Sequence, residues 1–131
     1  MFNLTFDHYT IKVKNLETSV DFYRSILGLS EIENRTRKEY IRWFSLGEHR
    51  ELHVVEREVD DIVTNIGVHL ALKLSDLDPF LEHLKLNRIL AHNSKGTPGS
   101  ISTRADGVRQ VYFQDPDGYW IEVNESADIR S

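Results

Sequence analysis

From Phe6 to Lys14 the chain alternates, with Tyr9, Ile11 and Val13 on one side and His8, Thr10 and Lys12 on the other, the period of a half-buried strand. Asn15 then offers an N-cap, and Val20, Tyr23, Ile26 and Leu27 recur at helical spacing until Gly28 supplies a C-terminal stop. Three shorter strand-like runs follow around Glu31–Arg35, Tyr40–Leu46 and Glu51–Glu56, with a turn at Gly47-Glu48-His49 between the last two. The pattern predicts a βαβββ module over about residues 4–57. Residues 58–66 show no clear period and read as a linker.

The pattern then restarts. A shift of 61 residues pairs His8 with His69, Lys12 with Lys73 and Leu16 with Leu77 as identities, and Ile11 with Leu72, Val13 with Leu74 and Asn15 with Asp76 by type. Further on the shift becomes 69. It pairs Trp43-Phe44 with Tyr112-Phe113, Leu52-His53-Val54 with Ile121-Glu122-Val123, and Glu56 with Glu125. A second βαβββ module over about residues 67–126 is predicted, with a tail at 127–131. The eight extra residues between the two shifts fall in Asn93–Gly107, which holds Gly96, Pro98, Gly99 and Gly107. That stretch reads as a long mobile loop, a lid that could bring Lys95 and Arg104 over a cleft. The fold class expected is α+β: one domain of two paired modules forming a concave, barrel-like mixed sheet.

Composition narrows the chemistry. The chain has 131 residues, 40% hydrophobic and 28% charged, with a net charge of -5, which suits a soluble globular domain and removes the general attraction to phosphate that nucleic-acid binding needs. Neither a spanning helix nor a leader pattern is visible, so a cytoplasmic protein is expected, without nucleic-acid or membrane partners. With no cysteine, any metal must be held by His and carboxylate. Nucleophile-elbow, phosphate-loop and dinucleotide motifs are absent.

Strand alternation puts Trp120, Glu122 and Asn124 on the side that His69, Ala71 and Lys73 also face. In module one Glu51, His53 and Val55 share the corresponding side. If equivalent positions of paired modules face each other, His8 and His69 approach one another and Glu122 joins them. The 69-residue shift makes His53 the mate of Glu122, with Glu51 as its rival for a fourth position. Such a set suits one divalent ion, Zn, Ni, Fe or Mn. Asp115-Pro116-Asp117-Gly118 reads as a tight turn, and His49, His83 and His92 read as solvated.

Several motifs carry a resemblance: Asp7-His8, Ser19-Val20-Asp21-Phe22-Tyr23 with Leu27-Gly28-Leu29, His69, and Asp115 through Val123. In these the chain resembles the vicinal oxygen chelate superfamily of glyoxalase I, fosfomycin-resistance thiol transferases, extradiol dioxygenases and bleomycin-binding proteins. The resemblance implies metal ligation by His8, His69 and Glu122, with His53 or Glu51 as the fourth ligand, and a homodimer acting on a small molecule. For a glyoxalase I type lyase or isomerase it implies that Glu122 shuttles a proton of an enediolate-forming substrate. Lys12, Lys73, Thr10 and Trp120 are the candidate substrate contacts. Lys12 stands where glyoxalase I places an Arg for a glutathione carboxylate, which argues against a glutathione substrate. Thiol transfer, ring-cleaving dioxygenation and non-catalytic small-molecule binding are the alternatives.

Overall fold

A computed structural model describes residues 2–128. The chain divides into two compact units, one ending at Asp61 and the next beginning at Ile62. The first contains β1 (His8–Val13), α1 (Leu16–Ser25), β2 (Glu31–Ile32), β3 (Ile41–Gly47) and β4 (Arg50–Glu56). Its four-stranded sheet has the order β1-β4-β3-β2, with β1 parallel to β4 and the other pairs antiparallel. The second contains β5 (His69–Lys73), α2 (Leu77–Leu86), β6 (Ser102–Thr103), β7 (Arg109–Gln114) and β8 (Trp120–Asn124). Its order, β5-β8-β7-β6, repeats the first topology strand for strand. Both sheets are open rather than closed. Of the expected tail, Ala127 and Asp128 are described, and Ala127 still donates its N–H to the Leu74 carbonyl at 3.2 Å; residues 129–131 lie outside the described residues.

In each unit the helix covers the apolar side of its sheet. Leu16, Val20 and Tyr23 of α1 are buried along with Ile11, Val13, Phe44, Leu52 and Val54; in the second unit Leu77 and Leu84 are buried along with Val111, Phe113, Ile121 and Val123. The opposite side of each sheet carries the polar residues of the alternation. Both helices begin in the same way. Asn15 Oδ1 accepts from the Thr18 N–H at 3.0 Å and Asp76 Oδ1 from the Asp78 N–H at 3.1 Å, satisfying donors that a helix start leaves unpaired. A glutamate from the end of the last strand adds a second acceptor: Glu56 takes the Leu16 N–H at 2.8 Å and Glu125 the Leu77 N–H at 3.1 Å.

The elements are shorter than the hydrophobic pattern predicts where polar side chains intervene. β1 begins at His8 rather than Phe6, although the Asp7 carbonyl still accepts from the Glu51 N–H at 3.1 Å. β2 stops at Ile32 because Asn34 turns the chain, accepting from the Thr36 N–H and donating to the Lys38 and Ile41 carbonyls. Asp115–Gly118 is the expected turn: Asp115 Oδ1 accepts from the N–H groups of Asp117 and Tyr119, both at 2.9 Å, and Gly118 has φ 90°.

The eight surplus residues lie inside an edge strand. In the first unit Ile32 pairs with Trp43. In the second, His92 pairs with Tyr112, the repeat mate of Trp43, but the next rung toward the start of β7 is Ser102 with Gln110. Residues 93–101 thus leave and rejoin the ladder at neighbouring rungs. The excursion is tied rather than free, which corrects the expectation of a long mobile loop. Asn93 Oδ1 accepts from the Lys95 and Thr97 N–H groups, Gly99 N–H reaches the Ala91 carbonyl at 2.8 Å, and Ser94 N–H reaches the Ser102 hydroxyl at 2.7 Å.

Candidate functional site

In the first unit four side chains form a continuous stack. The Arg35 guanidinium lies 4.7 Å above the Trp43 ring; Trp43 stacks on His53 at 3.9 Å and 5°; His53 stacks on His8 at 4.1 Å and 15°. The register explains the arrangement: Trp43 and His53 are directly paired across β3 and β4, and His8 on β1 sits diagonally from His53, opposite Glu51. Asp7 holds His8 Nδ1 at 2.6 Å, leaving Nε2 as the outward nitrogen. His53 is engaged at Nε2 instead, by Glu51 at 2.9 Å. His8 also draws the Asp7 carboxyl below its ordinary range, chiefly through that hydrogen bond.

The second unit repeats the geometry with different chemistry. Glu122 occupies the rung of His53, Tyr112 that of Trp43, and His69 lies diagonally across, opposite Trp120. The Glu122 carboxylate is buried and well supplied with donors. Oε1 accepts from the Tyr112 hydroxyl at 2.9 Å; Oε2 accepts from Asn124 at 2.7 Å and Gln110 at 3.1 Å. Burial alone pushes the Glu122 carboxyl up, but hydrogen bonds from Asn124, Tyr112 and Gln110 and the charge of His69 outweigh it, so the net displacement is downward. Burial and then the bond to Glu122 push the Tyr112 hydroxyl up to about 12.

His69 carries the observation most relevant to a metal. Its Nδ1 meets the Ile66 carbonyl at 2.7 Å and its Nε2 meets Glu122 Oε1 at 3.0 Å, so two acceptors face one ring. A neutral imidazole has one N–H and satisfies one of them. A protonated ring satisfies both; beside a neutral ring, a divalent cation bound by Nε2 and Oε1 would take the place of the second proton. An imidazole nitrogen and a carboxylate oxygen are donors that divalent ions take, and His69 Nε2 and Glu122 Oε1 are the two that would hold one here. The carbonyl at Nδ1 is the outer contact that fixes a ligating imidazole. The donor set of each unit therefore fits a divalent ion in type, although among the described residues no three His, Asp or Glu side chains form a metal-holding group.

Of the other sequence candidates, Thr10 pairs with His53 and Lys12 with Val55 on the polar side of β1, while Lys73 pairs with Asn124 on β5. All three are exposed. Trp120 is half-buried and packs edge to face with His92, centroids 4.9 Å apart. His49 is exposed in the turn, with φ 65°. His92 corrects the expectation that it is solvated: it is half-buried and paired into the sheet. Tyr112 and Gln110 are the site residues the sequence reading missed, whereas Asn124, already placed on this face by the alternation, proves to be a donor to Glu122. Their signal was present, since alternation from Glu122 and the rung of Trp43 both point to them.

Residues 5–123 match the Glyoxalase/Bleomycin resistance protein/Dioxygenase superfamily. The chain is similar to the metallothiol transferase FosB of Staphylococcus epidermidis, with 26% identity covering 90% of this chain and 79% of that one. It is also similar to the lactoylglutathione lyase of Escherichia coli O157:H7, with 25% identity covering 92% of both chains. Among solved structures the oxidase ChaP-H2 shares the fold, with a TM-score of 0.77, 20% identity and 94% of both chains covered. Among the described residues no helix is long and apolar enough to cross a membrane.

Proposed function

Because the chain belongs to the Glyoxalase/Bleomycin resistance protein/Dioxygenase superfamily, we propose that it is a metal-dependent enzyme of the glyoxalase I type acting on a small molecule with vicinal oxygens. His8, His69, Glu122 and His53 would hold one divalent ion, Zn, Ni, Fe or Mn. The observation that carries this reading is His69, whose ring faces an acceptor at each nitrogen, with Glu122 Oε1 3.0 Å from Nε2. His53 is preferred to Glu51 as the fourth ligand because its rung in the first sheet is the repeat equivalent of the Glu122 rung in the second.

A divalent ion supplies Lewis acidity, which stabilises negative charge on a bound oxygen. The protein's own contribution is positioning. Tyr112, Gln110 and Asn124 hold the Glu122 carboxylate in one orientation, and Glu122 holds the proton moved between neighbouring carbons of the substrate. Thr10, Lys12 and Lys73 are polar contacts available on the same sheet faces, and Trp120 is an apolar one. A cytoplasmic homodimer belongs to the same proposal. Thiol transfer, on the strength of the FosB likeness, is the second reading; it uses the same residues and differs in the co-substrate.

Metal analysis of protein purified without chelators tests the proposal. Near-stoichiometric divalent metal is expected, falling sharply in the His8→Ala and His69→Ala double variant. Undiminished metal in that variant would remove these ligands, and a metal-free wild type would favour a non-catalytic binding protein.

A further inference from the structure

The parallel strands β1 and β4 end side by side, and backbone pairing runs just past them: the Arg57 N–H donates to the Val13 carbonyl at 3.0 Å and the Glu56 N–H to the Tyr40 carbonyl at 2.9 Å. Beyond these last rungs the first unit opens a cleft of about 770 Å³. It is separate from the stacked histidines. Arg57 stands four residues past His53 on one extended run, roughly 13 Å along the strand.

The basic groups of the cleft converge on one phenol. Tyr40 lines the cleft half-buried, with the Arg57 guanidinium 4.4 Å and the Lys38 ammonium 5.8 Å from its ring centroid. A hydrogen bond from Lys38 foremost, and a second from Arg57, draw the Tyr40 hydroxyl below its ordinary range against the opposing push of burial. A phenol oxygen that accepts twice has used its lone pairs, so its own proton is what it offers a ligand. Tyr40, Arg57 and Lys38 therefore gather three donor groups, two of them charged, and Lys14 lines the same cleft from the end of β1. Such a set takes a carboxylate.

The acidic groups exclude a simple anion as the best fit. Glu56 is engaged by the Leu16 N–H, but Glu58 and Asp60 also line the cleft, one and three residues after Arg57, which keeps them within about 10 Å of it along the backbone. Their charges repel an anion and attract an ammonium. The Tyr40 ring and the half-buried Val59 side chain add apolar surface, against which methylenes pack without loss, whereas a peptide amide there would need partners for its N–H and C=O.

We propose that this cleft is a second binding site, for a small linear zwitterion of the ω-amino acid class, its carboxylate held by Tyr40, Arg57 and Lys38 and its ammonium by Glu58 and Asp60. 5-Aminopentanoate has as many chain atoms as two extended residues, spans about 7 Å and fits within that reach. None of the metal-ligand candidates takes part.

The test titrates 5-aminopentanoate, pentanoate and pentylamine into the full chain as purified, followed by proton–nitrogen spectra. 5-Aminopentanoate should bind at least tenfold more tightly than either singly charged analogue, the worth of one charge-assisted contact, with shifts centred on Tyr40 and Arg57. The Glu58→Gln and Asp60→Asn double variant should lose its preference for 5-aminopentanoate over pentanoate. The Tyr40→Phe and Arg57→Gln double variant should lose the preference over pentylamine instead, a split that general loosening of the fold would not produce. Equal binding of pentanoate in wild type makes the cleft a plain anion site, and equal binding of pentylamine a plain cation site; either overturns the proposal. So do shifts centred on His8 and His53, or no saturable binding. The wild-type comparison decides even if a variant fails to fold.

Discussion

Glu125 accepts the Leu77 N–H at 3.1 Å while Arg109 grips the same carboxylate at 2.7 and 2.9 Å, so the chain just past β8 closes the first turn of α2. Arg109 also reaches Asp78 Oδ1 at 2.8 Å, tying β7, the end of β8 and the helix start into one network. The Arg109 guanidinium, with the Leu77 N–H, pulls the Glu125 carboxyl from its ordinary 4.5 down to about 2.

A group whose folded pKa is depressed stabilises fully above its unfolded pKa and loses that contribution as pH falls toward the folded value. Glu125→Gln should therefore melt below wild type at neutral pH. The gap should narrow as pH falls from about 4.5 toward 2, read by thermal melts across that window. A gap independent of pH would separate Glu125 from this network.

Tyr112→Phe removes one hydroxyl from Glu122 Oε1 and leaves the ring in place. Metal affinity should fall by about 10- to 100-fold, the usual effect of losing an outer contact to a ligand, with the melting temperature little changed. Competition with a chelating dye measures it, and unaltered affinity would confine Tyr112 to packing.

His53→Ala should weaken metal binding more than Glu51→Ala does. The two residues share a face of β4, but His53 alone occupies the rung equivalent to Glu122. Parallel metal titrations decide, and the reverse order would assign the position to Glu51.

Phe44 and Phe113 are repeat mates, each with 0% exposure. Phe113→Ala should cost about 3–5 kcal/mol in denaturant unfolding, as for other buried phenylalanines cut to alanine. A cost under about 1 kcal/mol would mean the site collapses around the lost ring.

The alternation of His8, Thr10 and Lys12 against Ile11 and Val13, with the 61- and 69-residue shifts, made two βαβββ modules and the ligand candidates legible, because strand period and repeat register are properties of position alone. Tyr112 escaped notice for a physical reason: Val111-Tyr112-Phe113 looks like a wholly apolar core run, and only the polar face opposite shows that its hydroxyl serves Glu122. His92 was illegible because a single bridge leaves no period. The shift in offset located the insertion but not its form, which depends on the side chain of Asn93 accepting two backbone N–H groups.

Residues 93–101 depart from the edge ladder at His92 and return at Ser102, so their ends are fixed by neighbouring rungs whatever lies between. The segment behaves as a graft point. Sequences of other lengths can be exchanged there while β7 keeps both rungs.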